Sequence, residues 1–138
     1  MEEHMKVLVI EDDPDVRKAV GRMITIILRC PAVVAETTTK GLEIFGSDEA
    51  IDLVVSDYDT GRGEPRSTML YEKIRGELEQ RGGFFIAMSA DFHSREGHTA
   101  RKHFESLGVP TLDKPFRMPQ MESIFEGLFP HLADKGFT

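Results

Sequence analysis

The sequence has a single cysteine, no excess of basic residues and no long apolar run, and each of these absences narrows the possibilities. One thiol, Cys30, cannot form an internal disulfide, which fits a reducing compartment. A formal net charge of -7 and a pI near 5.2 argue against a nucleic-acid-binding surface, which needs a basic face. Because no apolar run is of membrane-spanning length and no signal peptide opens the chain, we expect a cytoplasmic protein without membrane or nucleic-acid partners.

The length and composition are those of one ordinary globular domain. A chain of 138 residues can form one hydrophobic core but not two, and its residues are 40% hydrophobic and 30% charged. We expect this domain to cover residues 5–133, with terminal tails at 1–4 and 134–138. Carboxylates crowd the N-terminal end, and crowded carboxylates raise each other's pKa unless a cation lies among them. These carboxylates belong to Glu2, Glu3, Glu11, Asp12, Asp13 and Asp15.

Five short apolar runs alternate with segments that are apolar at helical spacing. The predicted strands are residues 6–10, 32–35, 52–56, 84–88 and 109–112. The predicted helices begin at Pro14, at Thr37 or Thr38, at Ser67, at Ser94 and at Met118, and the last one continues to Leu132. The alternation predicts an α/β fold in which a doubly wound parallel sheet carries helices on both faces.

Four of these apolar runs end at residues that can bind a phosphoryl group or its metal ion. The residues are Asp12 and Asp13, Asp57, Ser89 and Lys114. In a flavodoxin-like sheet of order 2-1-3-4-5, these strand ends lie on one edge, and the first and third strands meet at the switch point where ligands bind. Converging carboxylates suit Mg²⁺, while a hydroxyl and an ammonium suit phosphoryl oxygens. Each residue alone is a common turn or cap residue, but the set predicts one site.

These residues resemble the receiver domain of bacterial two-component response regulators. The resemblance extends from Lys6 to about Leu132. Its specific pieces are Glu11-Asp12-Asp13-Pro14, the apolar strand into Asp57, Ser89-Ala90 and Lys114-Pro115-Phe116. It implies the flavodoxin-like strand order named above, and a cis peptide bond between Lys114 and Pro115.

The resemblance also implies a role for each residue of the site. Asp57 would be the phosphoacceptor, and Ser89 and Lys114 would bind the acyl phosphate and carry the signal outward. The implied Mg²⁺ ligands are Asp12, Asp13, Asp57 and the backbone carbonyl of Asp59. The phosphoryl donor would be a sensor histidine kinase or a phosphotransfer protein.

A receiver is a signalling phosphoprotein and not an enzyme in the usual sense, with only self-catalysed phosphoryl transfer and slow autodephosphorylation. Its usual partner surface is formed by the fourth helix, fifth strand and fifth helix. Because only residues 133–138 follow the last predicted helix, we expect no output domain. The protein would then act by docking to a downstream protein, or as a phosphate relay or sink.

The chain departs from the family pattern at three places. Residues 58–66, after the acceptor, form a longer, Gly-rich and charged loop that we expect to be mobile. Asp59, two residues after the acceptor, either orients an attacking water molecule or faces solvent. Thr111 stands where the family has an aromatic residue that moves inward on activation. The readout is therefore weaker, or it uses Ser89 and the adjoining loop alone.

Two other functions fit part of the pattern. Asp57-Tyr58-Asp59-Thr60 is similar to the nucleophile motif of haloacid-dehalogenase-type phosphatases, in which Asp59 would protonate the leaving group. In those enzymes, however, the nucleophile opens the chain and the acid pair comes late. A receiver-like module that binds a partner without being phosphorylated is the second alternative, although the complete acidic set argues against it.

Overall fold

The computed structural model describes residues 5–129 and contains a five-stranded parallel sheet of order β2-β1-β3-β4-β5, as predicted. The strands are β1 (Val7–Ile10), β2 (Ala32–Ala35), β3 (Leu53–Asp57), β4 (Phe84–Ser89) and β5 (Thr111–Asp113). The helices are α1 (Pro14–Leu28), α2 (Thr38–Ser47), α3 (Ser67–Gln80), α4 (Arg95–Ser106) and α5 (Met118–Leu128). Strands and helices alternate strictly along the chain, which is the pattern of a doubly wound sheet.

Side chains from the two faces of the sheet form two separate apolar cores. On one face, Leu8 and Val54 pack in a cluster that includes Phe45 of α2, Leu70 of α3 and Phe104 of α4. The other face packs against α1 and α5, whose apolar side chains share a second cluster with β1, β3 and β4. Every residue of β1 and β3 is buried, which explains why these strands are apolar without alternation.

The fifth strand differs most from its predicted position. It was expected at residues 109–112 and lies at Thr111–Asp113, because Val109 caps the carboxyl end of α4 instead of pairing with β4. The backbone N–H of Val109 donates to Phe104 O, and Gly108 has a φ of +74° that few other residues adopt. The final helix ends at Leu128 with Phe129 as its non-helical C-cap, earlier than predicted, and residues 130–132 of the predicted helix lie outside the described residues.

Two further expectations concern single features of the chain. The Lys114–Pro115 peptide bond is cis, as the resemblance implied. Cys30 is buried at the end of α1, and burial, reinforced by the charge of Asp52, raises the pKa of its thiol to about 11. Between residues 5 and 129, no helix is both long and apolar enough to cross a membrane.

Candidate functional site

Three acidic side chains meet at the carboxyl end of β1 and β3. The strands pair in parallel with Ile10 opposite Ser56, so the chain positions that follow, Glu11 and Asp57, are neighbours at the sheet edge. Carboxylate oxygens of Glu11, Asp12 and Asp57 all lie within 4.8 Å of one another. Glu11 and Asp57 are buried, with 1% and 5% of their surface exposed, whereas Asp12 faces solvent. The group is therefore a shallow acidic pocket with an open side.

Lys114 supplies the positive charge of this pocket from the end of β5. Its Nζ lies 2.8 Å and 3.1 Å from the two carboxylate oxygens of Glu11, and 3.2 Å from Asp57 Oδ1. The strand order explains how the Lys114 side chain reaches Asp57, since β3 is separated from β5 only by β4. One ammonium thus bridges two buried carboxylates, and with Asp12 the four side chains carry a net charge of -2 when all are ionised.

The protonation of the pocket reflects its burial. Burial raises the pKa of Asp57 to about 7; the ammonium of Lys114 opposes this rise, and the negative charges of Glu11 and Asp12 add to it. For Lys114, burial disfavours the charged form, but the hydrogen bond to Glu11 and the charge of Asp57 outweigh it and hold the pKa above its usual value. The lysine therefore remains charged, while Asp57 releases its proton only near neutral pH.

Ser89 lies beside these residues at the end of β4. Asp57 pairs with Met88 across β3 and β4, so Ser89 is one position farther toward the site. Its carbonyl accepts a 2.9 Å hydrogen bond from the Lys114 backbone N–H, which ties the two predicted residues together. The Oγ of buried Ser89 accepts a 2.9 Å hydrogen bond from the Asp91 backbone N–H. That bond fixes the hydroxyl oxygen and leaves its proton to be donated.

Asp13, predicted as a metal ligand, is not one of the three converging acids. Its Oδ1 accepts hydrogen bonds from the backbone N–H groups of Asp15, at 2.9 Å, and Val16, at 3.2 Å, and so caps the N-terminus of α1. Pro14 follows as the first helical residue. The place expected for Asp13 in the pocket is taken by Glu11, which the sequence prediction did not assign to the site.

Asp59 lies on the exposed side of the loop that follows β3. Its Oδ1 accepts a 2.9 Å hydrogen bond from the Gly61 backbone N–H and lies 3.4 Å from Nη1 of Arg66. Both contacts hold the carboxylate within its own loop. The role of the Asp59 backbone carbonyl as a metal ligand stays a prediction.

The rest of this loop is attached to the start of α2. Buried Thr60 accepts a 3.0 Å hydrogen bond from the Thr38 backbone N–H, and the hydroxyl groups of the two residues lie 2.9 Å apart. Glu64 Oε1 accepts a 2.8 Å hydrogen bond from the Thr39 backbone N–H. The loop thus caps a neighbouring helix, which is more attachment than its glycine-rich composition indicated.

Thr111 is the first residue of β5 and pairs with Ala87 of β4. It is half-buried, and it presents a short side chain at this edge of the sheet. Two aromatic residues follow other strands of the sheet. Tyr58 comes directly after Asp57, and Phe92 lies in the loop between β4 and α4. Both are buried in the cluster that contains Phe104.

Comparison with solved structures identifies the fold. The chemotaxis protein CheY4 of Vibrio cholerae superposes with a TM-score of 0.72 at 14% identity, over 92% of this chain and 100% of CheY4. A response regulator receiver domain from Clostridium thermocellum gives 0.70 at 19% identity, over 94% and 97% of the two chains. The response regulator TrrA of Thermotoga maritima, solved in complex with Mg²⁺ and BeF, gives 0.70 at 19% identity, over 91% and 99%.

No protein-family model matches the chain, and no curated protein resembles it significantly in sequence. The structural similarity is nevertheless extensive, because it covers nearly the whole chain and all of the receiver domains compared. The protein therefore has the CheY-like receiver fold, and its acidic pocket lies at the carboxyl edge of the sheet in that fold.

Proposed function

We propose that the protein is a phosphoacceptor receiver that takes a phosphoryl group on Asp57. The observation that supports this most directly is the environment of Asp57. Its carboxylate is buried at the end of β3, in contact with one ammonium and close to two further carboxylates. An ionised carboxylate in that position is a nucleophile with a cation ready to neutralise incoming phosphoryl oxygens.

The acidic pocket also has the donors that Mg²⁺ requires. Three carboxylates with a single ammonium among them leave an uncompensated negative charge, and oxygen ligands at an open pocket fit a hard cation that keeps several waters. Asp12 and Asp57 would hold the ion, with Glu11 beside them and the Asp59 carbonyl as a further oxygen. The chemistry that bound Mg²⁺ supplies is neutralisation of charge on the phosphoryl oxygens.

The residues of this chain would then perform one displacement. A carboxylate oxygen of Asp57 attacks the phosphorus of a phosphohistidine, an O–P bond forms, and the N–P bond breaks. The electron pair stays on the imidazole nitrogen, which takes a proton from solvent. Lys114 exchanges its contact with Asp57 for a phosphoryl oxygen, and the Ser89 hydroxyl donates to another. Catalysis is positioning and charge neutralisation.

The partners proposed are a histidine kinase or phosphotransfer protein as donor, and a downstream protein that docks on the face of α4, β5 and α5. The exposed surface of α4 would contribute charged and polar side chains to this docking face, among them Arg95, His98 and Lys102. His93 and Arg101 approach Asp113 at the end of β5, at 4.0 Å and 3.6 Å. Surface charges of this kind set partner choice and association rate.

Labelling by acetyl phosphate, with and without Mg²⁺, tests the proposal. We expect incorporation in the wild type that requires Mg²⁺ and no incorporation in Asp57→Asn. Lys114→Ala should slow labelling by about 10- to 100-fold, since one charge-stabilising group is lost. Asp91→Asn, an exposed aspartate at the same sheet edge, should label normally. Labelling that survives in Asp57→Asn refutes the assignment, and a wild type that never labels favours the non-phosphorylated module.

A further inference from the structure

A cluster of three side chains connects the residue after Asp57 with the first turn of α4. The cluster consists of Tyr58, Arg66 and Glu96. The Tyr58 hydroxyl donates a 2.8 Å hydrogen bond to Glu96 Oε2, and Arg66 Nε donates a 3.0 Å hydrogen bond to the same oxygen. The Arg66 guanidinium also lies 5.9 Å from the centre of the Tyr58 ring. The two ends of the loop between β3 and α3 are therefore joined to α4 at a single carboxylate oxygen.

Tyr58 is firmly placed at one end of this cluster. Its backbone N–H donates to Met88 O at 2.8 Å, and its carbonyl accepts from the Ser67 N–H at 2.9 Å. Only 6% of its surface is exposed, and its ring belongs to the same apolar cluster as Ala100 and Phe104 of α4. A displacement of the backbone at Asp57 would therefore reach α4 through this ring and its hydroxyl.

Arg66 is shared between two acidic groups, one in its own loop and one in α4. Its Nε contacts Glu96 at 3.0 Å, and its Nη1 lies 3.4 Å from Asp59 Oδ1. The contact with Glu96 is the shorter one. Because attraction between charges depends on the local charge balance, added negative charge near Asp59 would draw the guanidinium toward that side. Asp59 lies two residues from Asp57, where phosphorylation would add this charge.

We propose that the Tyr58–Arg66–Glu96 cluster couples the state of Asp57 to the first turn of α4. This inference rests on the proposed function. A phosphoryl group on Asp57 pulls Arg66 from Glu96 toward Asp59, and the first turn of α4 loosens because its carboxylate loses one of two partners. The route does not involve β5, where Thr111 offers no aromatic side chain to move.

The variants Tyr58→Phe and Glu96→Gln test the resting contact by amide hydrogen exchange over residues 97–100. Tyr58→Phe keeps the buried ring, and Glu96→Gln keeps a neutral acceptor, so neither change empties the core. We expect exchange in this turn to increase about 3- to 10-fold in both variants. Glu105→Gln, which removes a 3.4 Å contact with Arg101 farther along α4, is the matched control and should leave it unchanged. Unchanged exchange in both test variants overturns the inference.

The second arm of the experiment adds Mg²⁺ and beryllium fluoride, with binding followed separately by fluorine NMR. In the wild type, exchange over residues 97–100 should rise on binding. In Glu96→Gln, where the ion pair with Arg66 is already lost, exchange should already be high and should not rise further, whereas Tyr58→Phe keeps the contact between Arg66 and Glu96 and should still show a rise. A ligand-induced rise of wild-type size in Glu96→Gln overturns the coupling. Absence of beryllium fluoride binding to the wild type instead overturns the proposed function, and the coupling with it.

Discussion

Replacement of Asp57 by Asn should stabilise the protein against unfolding, and the gain should increase with pH. The reason is the cost of ionising Asp57 in the fold. Its pKa is raised to about 7 by burial and by Glu11 and Asp12, in spite of Lys114. In the unfolded chain an aspartate titrates near its ordinary pKa of about 3.9. Asparagine keeps the shape of the side chain and removes this titration.

The sign and size of the difference in unfolding free energy between Asp57→Asn and wild type follow from proton linkage. Between about pH 4 and pH 7, the unfolded state has released the Asp57 proton while the folded state still holds it, so wild-type stability falls as pH rises. Each pH unit of this interval contributes about 1.4 kcal/mol. From pH 5 to pH 7 the difference in unfolding free energy between Asp57→Asn and wild type should therefore widen by about 2 to 3 kcal/mol, and it should level off above about pH 7.

Urea denaturation at a series of pH values, with chelator present, measures this difference. Asp91→Asn, the same substitution at an exposed aspartate, is the reference variant with which the Asp57→Asn difference is compared. Mg²⁺ at about 100 times its dissociation constant should then recover about 2.7 kcal/mol in wild type at pH 8 and much less in Asp57→Asn. A difference that stays constant or shrinks as pH rises refutes the argument that Asp57 is ionised at a cost.

Three other predictions concern single groups. Lys114→Met leaves the buried carboxylates without their cation, so the metal-free protein should lose about 3 kcal/mol of unfolding free energy and regain part of it with Mg²⁺, measured in urea. Gly97→Ala should lower the free energy of unfolding by about 3 kcal/mol, since the new Cβ would lie 1.7 Å from Asp91 O. Gly76→Ala, which has open space in α3, should instead raise it by about 0.5 to 1 kcal/mol. Equal effects of the two substitutions would contradict this. The buried Cys30 thiol, whose pKa is about 11, should react with iodoacetamide at pH 8 about 100-fold more slowly than in the urea-unfolded chain, as followed by mass spectrometry.

The fold was predictable because strands that are buried on both faces of the sheet have continuous apolar sequences. The apolar runs of β1 and β3 are continuous, and the helix starts carry recognisable caps, such as Asp13 before Pro14 and Ser94 before α4. The start of β5 was not predictable from the same signals. Val109 is apolar whether it closes a helix or opens a strand, and only its hydrogen bond to Phe104 O decides between them.

Asp13 shows how two sequence signals, one for a helix cap and one for a metal ligand, can compete on one residue. Asp13 was predicted as a metal ligand, but it also stands directly before Pro14, where a helix cap is expected, and its Oδ1 accepts two capping hydrogen bonds. A carboxylate aimed at the first turn of its own helix is turned away from the neighbouring strand. The cap signal therefore shifts the converging pair by one residue, to Glu11 and Asp12. That step needs only Pro14 at the first helical position, so the sequence contained the information.

The contacts made by the loop after β3 could not be predicted from the sequence in the same way. Its contacts with α2 and α4 join residues 22 to 38 positions apart, as in Thr60 with Thr38 and Tyr58 with Glu96. No local periodicity or turn preference records such pairs, because they depend on how the helices pack on the sheet. Composition indicated a mobile segment; the tertiary structure gives it hydrogen-bonded attachments at both ends.

The charge balance of the pocket bears on which function the chain performs. A docking surface needs no buried carboxylate, and a buried ion pair is seldom the most stable way to fill a core position. Here Glu11 and Asp57 are both buried around one ammonium, with Asp12 at the mouth, so the resting protein carries an unfavourable excess of negative charge. A bound cation would offset that excess, and Lys114 would neutralise oxygens of a phosphoryl group on Asp57. Ligand binding is thus expected to add stability at this pocket, and this expectation agrees with the proposed phosphoacceptor better than with a passive binding module.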